Sequence, residues 1–160
     1  MRKPFKLKRA EDYYIKTLLK EVKLKEIMTD EVISAEVSAP FNEVAEKLTR
    51  RGIRHLPIID DEKKLVGIMT ERDLFKIQPP RKLEEGGWYY DKEMLDAVIL
   101  EDVMIKAPFC MHPDDSIGEA LLQMVRNKYG CIPIVDKKNV LCGIVTQIDI
   151  LQLAAQIYSE

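Results

Sequence analysis

Apolar and polar positions along this chain fall into two matching series. Residues 41–51 place Phe41, Val44, Ala45 and Leu48 on one helical face, and residues 117–128 do the same with Ile117, Ala120, Leu121, Met124 and Val125. Leu56-Pro57-Ile58-Ile59 and Ile132-Pro133-Ile134-Val135 are near-continuous apolar runs, the pattern of strands covered on both faces. Polar turns follow at 60–64 and 136–139, and apolar strands return over 65–69 and 140–145, so each series predicts a hairpin. Short extended segments, 32–35 and 109–111, precede the two helices. A closing helix begins at Thr70 or Thr146 and carries Leu74, Phe75 and Ile77 in one series and Ile150, Leu151, Leu153 and Ala154 in the other. Pro40 suits a helix first turn, and Ser116-Ile117-Gly118-Glu119 has the form of a capping box. Outside the series, residues 10–22 predict an amphipathic helix with Tyr14, Leu18 and Val22 on one stripe. Residues 91–100 predict a short helix. Residues 78–90 cannot be one regular element, because Pro79-Pro80 stops a helix and Gly86-Gly87 forces a turn.

The two series are copies. Residues 24–77 align on 100–153 without a gap, with identities at Leu24, Met28, Glu43, Arg50, Pro57, Ile58, Asp60, Leu65, Gly67, Ile68, Thr70 and Asp73. The chain therefore divides into a leader with a short helix (1–22), repeat one (23–77), a connector (78–99), repeat two (100–154) and a tail (155–160). Each repeat reads strand, helix, strand, strand, helix.

Composition excludes several classes. With 160 residues, 46% apolar and 32% charged, the chain is long enough for a real core and has the make-up of an ordinary soluble protein. The net charge of −2 calls for neither nucleic acid nor a membrane, so anion binding must come from a local cluster. No apolar run reaches the roughly 18 residues of a membrane span. The basic start, 1–9, has no apolar stretch behind it and is not a secretory signal. Cys110, Cys131 and Cys142 form no C-x-x-C and read as reduced residues of a cytoplasmic protein. His55 and His112 lack ligand spacing with them, so no metal is expected. No Gly-x-Ser-x-Gly, P-loop or isolated carboxylate pair points to an enzyme. Asp60 and Asp136 read as turn residues, and apolar strands around Cys131 and Cys142 argue against a thiol nucleophile.

The candidate chemistry is the doubled Gly-x-x-Thr-x-x-Asp: Gly67, Thr70, Asp73 and Gly143, Thr146, Asp149. Glycine allows close approach to the backbone. A helix start with a threonine hydroxyl suits a phosphate, and an aspartate one turn on can accept from paired ribose hydroxyls. The same Thr-x-x-Asp spacing is also a helix capping box, which needs no ligand.

The full pattern, an h-Pro-h-h-Asp strand, a turn and h-Gly-h-h-Thr-x-x-Asp, twice, with Ile27-Met28-Thr29 and Val103-Met104 opening the repeats, resembles the tandem cystathionine-β-synthase (CBS) domain, or Bateman module. The resemblance covers about two-thirds of the chain. It implies an α/β (α+β) fold of two βαββα repeats packed with pseudo-twofold symmetry, with adenine nucleotides bound in the clefts between them. It makes Thr70 and Thr146 phosphate contacts and Asp73 and Asp149 ribose contacts. Ser34, Ala35, His55, Leu56 and Pro57 would line one base or phosphate region, and Cys110, Met111, Cys131, Ile132 and Pro133 the other. The pair before the h-Pro strand often supplies basic phosphate ligands in this family. Repeat one has Arg54-His55 there and Arg72 inside its Thr-x-x-Asp; repeat two has Gly130-Cys131 and Ile148, so the two clefts are not equivalent for phosphate.

The expectation is a non-catalytic, cytoplasmic regulatory module that binds AMP, ADP or ATP, needs no cofactor and signals by conformational change. The alternatives are an S-adenosylmethionine-binding module and a ligand-free dimerisation scaffold. The resemblance also implies a homodimer. Leader and connector, the unrepeated parts with the Trp88-Tyr89-Tyr90 cluster, are candidates for contact with a regulated partner protein. No nucleic-acid or membrane partner is expected.

Overall fold

The computed structural model describes residues 9–49 and 53–159. The basic segment before residue 9, and Arg50 of the repeat identities, lie outside the described residues. In chain order the elements are α1 (Arg9–Glu21), a 3-10 turn (Leu24–Glu26), β1 (Ala35–Glu36), α2 (Phe41–Thr49), β2 (His55–Ile59), β3 (Leu65–Thr70), α3 (Glu71–Ile77), β4 (Arg81–Lys82), β5 (Trp88–Tyr89), α4 (Lys92–Asp96), α5 (Leu100–Val103), β6 (Ile105–Lys106), α6 (Ile117–Asn127), β7 (Cys131–Val135), β8 (Leu141–Thr146) and α7 (Gln147–Ser159). The mixed helix and strand content is that of an α+β fold. These elements fall into two compact units, one of Glu31–Phe109 with Val135–Cys142, the other of Met1–Asp30 with Cys110–Ile134 and Gly143–Glu160.

The first unit is built on a four-stranded sheet in the order β1-β2-β3-β6. β1 runs parallel to β2, with Ala35 opposite Ile58, and Val37 N–H donates to the Ile59 carbonyl at 2.8 Å. β2 and β3 form the antiparallel hairpin, with His55 opposite Thr70. The turn is an Asx turn: Asp60 Oδ1 accepts from the backbone N–H of Glu62 (3.0 Å) and Lys64 (2.8 Å). The apolar face of α2, Phe41, Val44, Ala45 and Leu48, is buried as its spacing predicts, against Leu56, Ile58, Met69 and Leu74. Each such side chain contributes roughly 1.5–3 kcal/mol on burial. Leu95, Leu100 and Met104 complete this core. Residues 91–100 are therefore not one helix. Leu95 and Leu100 are five residues apart, about 140° apart on a helix, and both reach the core only because the chain turns extended at Ile99. The connector folds as a small β4–β5 hairpin, and buried Gln78 closes its base by accepting the Asp91 N–H at 2.9 Å.

The second unit is completed by the leader and the start of repeat one. Lys23 pairs with Ser116, and the backbone bonds Leu24 N to Asp115 O (2.9 Å), Lys25 N to Pro113 O (3.0 Å) and Ile117 N to Val22 O (3.0 Å) lay this stretch along the start of α6. Thr29 and Ile144 exchange both backbone bonds at 3.0 Å. The capping box forms: Ser116 Oγ accepts from Glu119 N–H (3.3 Å) while Glu119 Oε2 accepts from Ser116 N–H (3.0 Å). That pairing holds the Glu119 carboxyl below its usual range. α1 packs on α6, where a Cβ on Gly118 would lie 2.9 Å from the Leu19 carbonyl oxygen.

Three side-chain stripes differ from the sequence expectation. Tyr14 is 73% exposed and Leu18 is also exposed, because α1 is docked through its Leu19 side and not the Tyr14–Leu18 stripe. Val125 is 76% exposed, while Ile117, Ala120 and Met124 form the buried face of α6. Phe75 and Leu151 of the closing helices are exposed, and α7 has no buried residue at all. Among the described residues no helix is long and apolar enough to cross a membrane.

Candidate functional site

Each unit brings together one set of the residues singled out from the sequence. In the first unit, β3 delivers Thr70 as the N-cap of α3. Thr70 Oγ1 donates to Asp73 Oδ2 at 2.6 Å and accepts from Asp73 N–H at 3.2 Å. Asp73 Oδ1 also meets the Lys76 ammonium at 3.4 Å. The antiparallel register sets His55 beside Thr70, and Glu71 N–H donates to the Arg54 carbonyl at 3.2 Å. Arg54 and Arg72 are exposed and His55 is half-buried. Burial and the neighbouring Arg54 hold the His55 imidazole below its ordinary value, with Asp73 opposing them.

The second unit repeats the arrangement. Thr146 Oγ1 donates to Asp149 Oδ2 at 2.7 Å, Thr146 N–H donates to the same oxygen at 2.6 Å, and Gln147 N–H donates to the Gly130 carbonyl at 3.2 Å. Met111 N–H donates to the Pro133 carbonyl at 3.1 Å, so Met111 holds the place beside β7 that Ala35 holds beside β2. Cys131 stands where the first unit has His55, and burial pushes its thiol up to about 12. Cys110 is raised for the same reason. Sulfur and apolar groups line this set; the basic side chains of the first set have no counterpart in it.

Both helix starts are occupied by their own protein bonds. In the first set Glu71 N–H and Asp73 N–H are taken, and in the second Gln147 N–H and Asp149 N–H. The groups beside the first helix start that can pair with an anion are the side chains of Arg54, His55 and Arg72. Leu56 and Ile132 are fully buried and Pro57 and Pro133 lie within buried strands. Ser34 and Ala35 lie at the start of β1, where Lys47 Nζ donates to the Ser34 carbonyl at 2.8 Å. The sequence pattern did not single out Lys47. Its counterpart Gln123 bonds instead with Asn127 at 2.9 Å. A pocket of about 400 Å³ is lined by Glu36, Ser38, Ala39, Pro40, Glu43 and Lys47. It contains no residue of the Thr-x-x-Asp set, and its two carboxylates do not suit an anion.

The motif glycines allow a close approach, as their position suggested, and the approaching group is a methionine. Gly67 lies inside β3, and a Cβ there would come within 2.4 Å of Met104 Sδ; at Gly143 it would come within 2.4 Å of Met28 Sδ. The glycines make room for a methionine of the same unit, not for a ligand. The recurrence of Met28 as Met104 was the sequence signal for this contact. Among the described residues no three His, Cys, Asp or Glu side chains gather to hold a metal ion.

Comparison with known proteins places this geometry. The CBS domain family model matches residues 24–79 and 100–156. The solved CBS domain pair of protein MJ0100, in complex with 5′-methylthioadenosine and S-adenosyl-L-methionine, is 28% identical with a TM-score of 0.66, over 82% of this chain and 98% of that one. The structure of CBSX2 in complex with AMP has a TM-score of 0.70 at 23% identity, over 85% of this chain and 98% of that one, and shares the fold. Homoserine O-acetyltransferase of Methanococcoides burtonii is 28% identical over 89% of this chain but only 26% of its own length. The chain spans about a quarter of the length of such enzymes. The doubled motif, the sheet that carries it and the family match over most of the sequence lead to one conclusion: the chain belongs to the CBS domain family, as a CBS pair.

Proposed function

We propose that this CBS pair is a regulatory module, without catalysis of its own, that binds an adenine nucleotide (AMP, ADP or ATP) at the Thr70–Asp73 set and signals by a change of conformation. The observation that carries this reading is the β2–β3 register, which brings Arg54 and His55 to the Thr70–Asp73 pair. Asp73 and Asp149 supply carboxylate acceptors for ribose hydroxyls. Thr70 and Thr146 supply hydroxyls that can turn from their aspartates to a ligand. The nucleotide would act by its differential affinity for two arrangements of the protein.

A second reading applies to the Thr146–Asp149 set. Its lining of Cys110, Met111 and Cys131, with Ile148 in place of Arg72, favours an adenosyl ligand without phosphate, such as S-adenosylmethionine. The solved MJ0100 pair, which holds such ligands, supports it. A homodimer in the cytoplasm is part of the proposal, supported by the wholly unburied α7 with Ile148, Leu151, Ile157 and Tyr158 exposed. The exposed Trp88 of the connector suits a regulated partner protein.

Thermal unfolding with AMP, ADP, ATP, S-adenosylmethionine and no ligand tests the proposal. A ligand at about 100 times its Kd adds roughly 2.7 kcal/mol. Stabilisation by a phosphorylated ligand supports the first reading. Stabilisation by S-adenosylmethionine alone removes it, and no stabilisation by any of them leaves Thr-x-x-Asp as a helix cap on a scaffold.

A further inference from the structure

The two sets share a backbone and differ at one titratable position. His55 and Cys131 occupy the same place, each at the start of its strand and in the residue before the h-Pro pair. Arg54 and Gly130 precede them and accept the same backbone bond, 3.2 Å in both units. We propose that His55 makes the Thr70–Asp73 set a proton-linked selector, taking up a proton when a 5′-phosphorylated adenosine binds and disfavouring a 5′-sulfonium one as the pH falls, whereas the Thr146–Asp149 set has no such response. This rests on the adenosine-ligand reading given above.

The charges around His55 set the sign. From the residue before the strand Arg54 disfavours the imidazolium, and from α3 Asp73 favours it. Asp73 is already shared with the Thr70 hydroxyl at 2.6 Å and the Lys76 ammonium at 3.4 Å. In the free protein burial and Arg54 prevail, and the imidazole is neutral at neutral pH. A phosphate brought to Arg54 and Thr70 offsets the arginine and adds negative charge beside the ring, so the imidazolium becomes favoured. A sulfonium adds positive charge to the same place and favours the neutral ring. Each unit by which a ligand raises the His55 pKa corresponds to about tenfold tighter binding below the free value than above the bound one. Cys131 is neutral throughout this range, since burial pushes its thiol up to about 12.

The sequence contains two histidines, His55 and His112, so the ring proton resonances are resolved by His55→Gln alone. Their titration is followed by NMR in the free full-length protein, with saturating AMP and with saturating S-adenosylmethionine. AMP is expected to move the His55 midpoint up by about one unit or more, and S-adenosylmethionine to leave it or lower it. Calorimetric affinities at pH 6 and pH 8 for wild type and His55→Gln give the second reading. Because AMP titrates itself, the result is the difference between the two proteins, expected to be a several-fold gain for wild type at pH 6 relative to pH 8, approaching about tenfold only below the free His55 value. AMP binding with an unmoved His55 midpoint overturns the inference and leaves the nucleotide reading standing. An upward shift with S-adenosylmethionine also overturns it. Binding of neither ligand at either pH overturns both. The titration is read on wild type, and His112→Gln gives the same assignment by difference, so the NMR arm decides even if His55→Gln folds poorly.

Discussion

The Thr70–Asp73 and Thr146–Asp149 sets share a backbone and the threonine hydroxyl to aspartate bond, yet one is flanked by Arg54, His55 and Arg72 and the other by Gly130, Cys131 and Ile148. What the sets share is what the fold needs: a cap for the closing helix, a glycine under a methionine, and an Asx turn at Asp60 or Asp136. What they do not share is charge and titration. The difference separates the two roles that Thr-x-x-Asp can have. Capping is satisfied in both units without any ligand, so the proposed function places ligand preference in the residues that vary around it.

The structural half of this comparison is broken most severely at the pieces that complete each unit. Leu24, at the start of repeat one, is fully buried in one unit, and its repeat counterpart Leu100 is buried in the other. Leu24→Ala and Leu100→Ala should each cost about 2–5 kcal/mol in denaturant unfolding. A large loss from only one of them would show that the units do not depend on these segments alike. Gly118→Ala should cost about 1–3 kcal/mol, since the new Cβ meets the Leu19 carbonyl, which is backbone and cannot swing away. The corresponding residue, Asn42, already has a Cβ, so Asn42→Ala should have little effect. Similar losses at both positions would contradict the close approach of α1.

Smaller effects test the caps. Ser116→Ala should cost about 1 kcal/mol, with no parallel in the other unit, where Pro40 holds that place. Ser116 lowers the Glu119 pKa, so the cap's contribution is present above the ordinary glutamate range and lost as pH falls through the lower folded value. The stability difference between wild type and Ser116→Ala should therefore be smaller in acid than at pH 7. The smallest effect is at His55. Its folded pKa lies below the unfolded value near 6.5, so its stability contribution is full above that value and lost as pH falls through the folded one. His55→Gln should flatten this part of the stability profile, and an unchanged profile would count against a half-buried neutral imidazole.

Much of this was legible in the sequence because duplication doubled each signal. The α2 face, the paired hairpins, the Ser116 box and the thiol of Cys131 follow from periodicity and apolar context. The α1 stripe did not, because Tyr13, Tyr14, Ile15, Leu18 and Leu19 spread apolar character around most of the helix, and only the gap at Gly118 fixes which side docks. The close approach at the motif glycines was legible, but not its occupant. A glycine marks close approach, but nothing in the pattern told whether a ligand or the distant Met104 would fill the space. The break in 91–100 came from tertiary packing, which brings Leu95 and Leu100 into one core.

The central claim is that both sets are built to hold an adenosine ligand and that only the first is equipped for phosphate. Calorimetric titration of AMP into Asp73→Ala and Asp149→Ala at neutral pH tests it most directly. The account predicts that Asp73→Ala weakens AMP on the order of tenfold or more, the scale of a lost hydrogen bond to a charged group. Asp149→Ala should bind AMP nearly as wild type does. Equal losses, or the greater loss at Asp149, would contradict it.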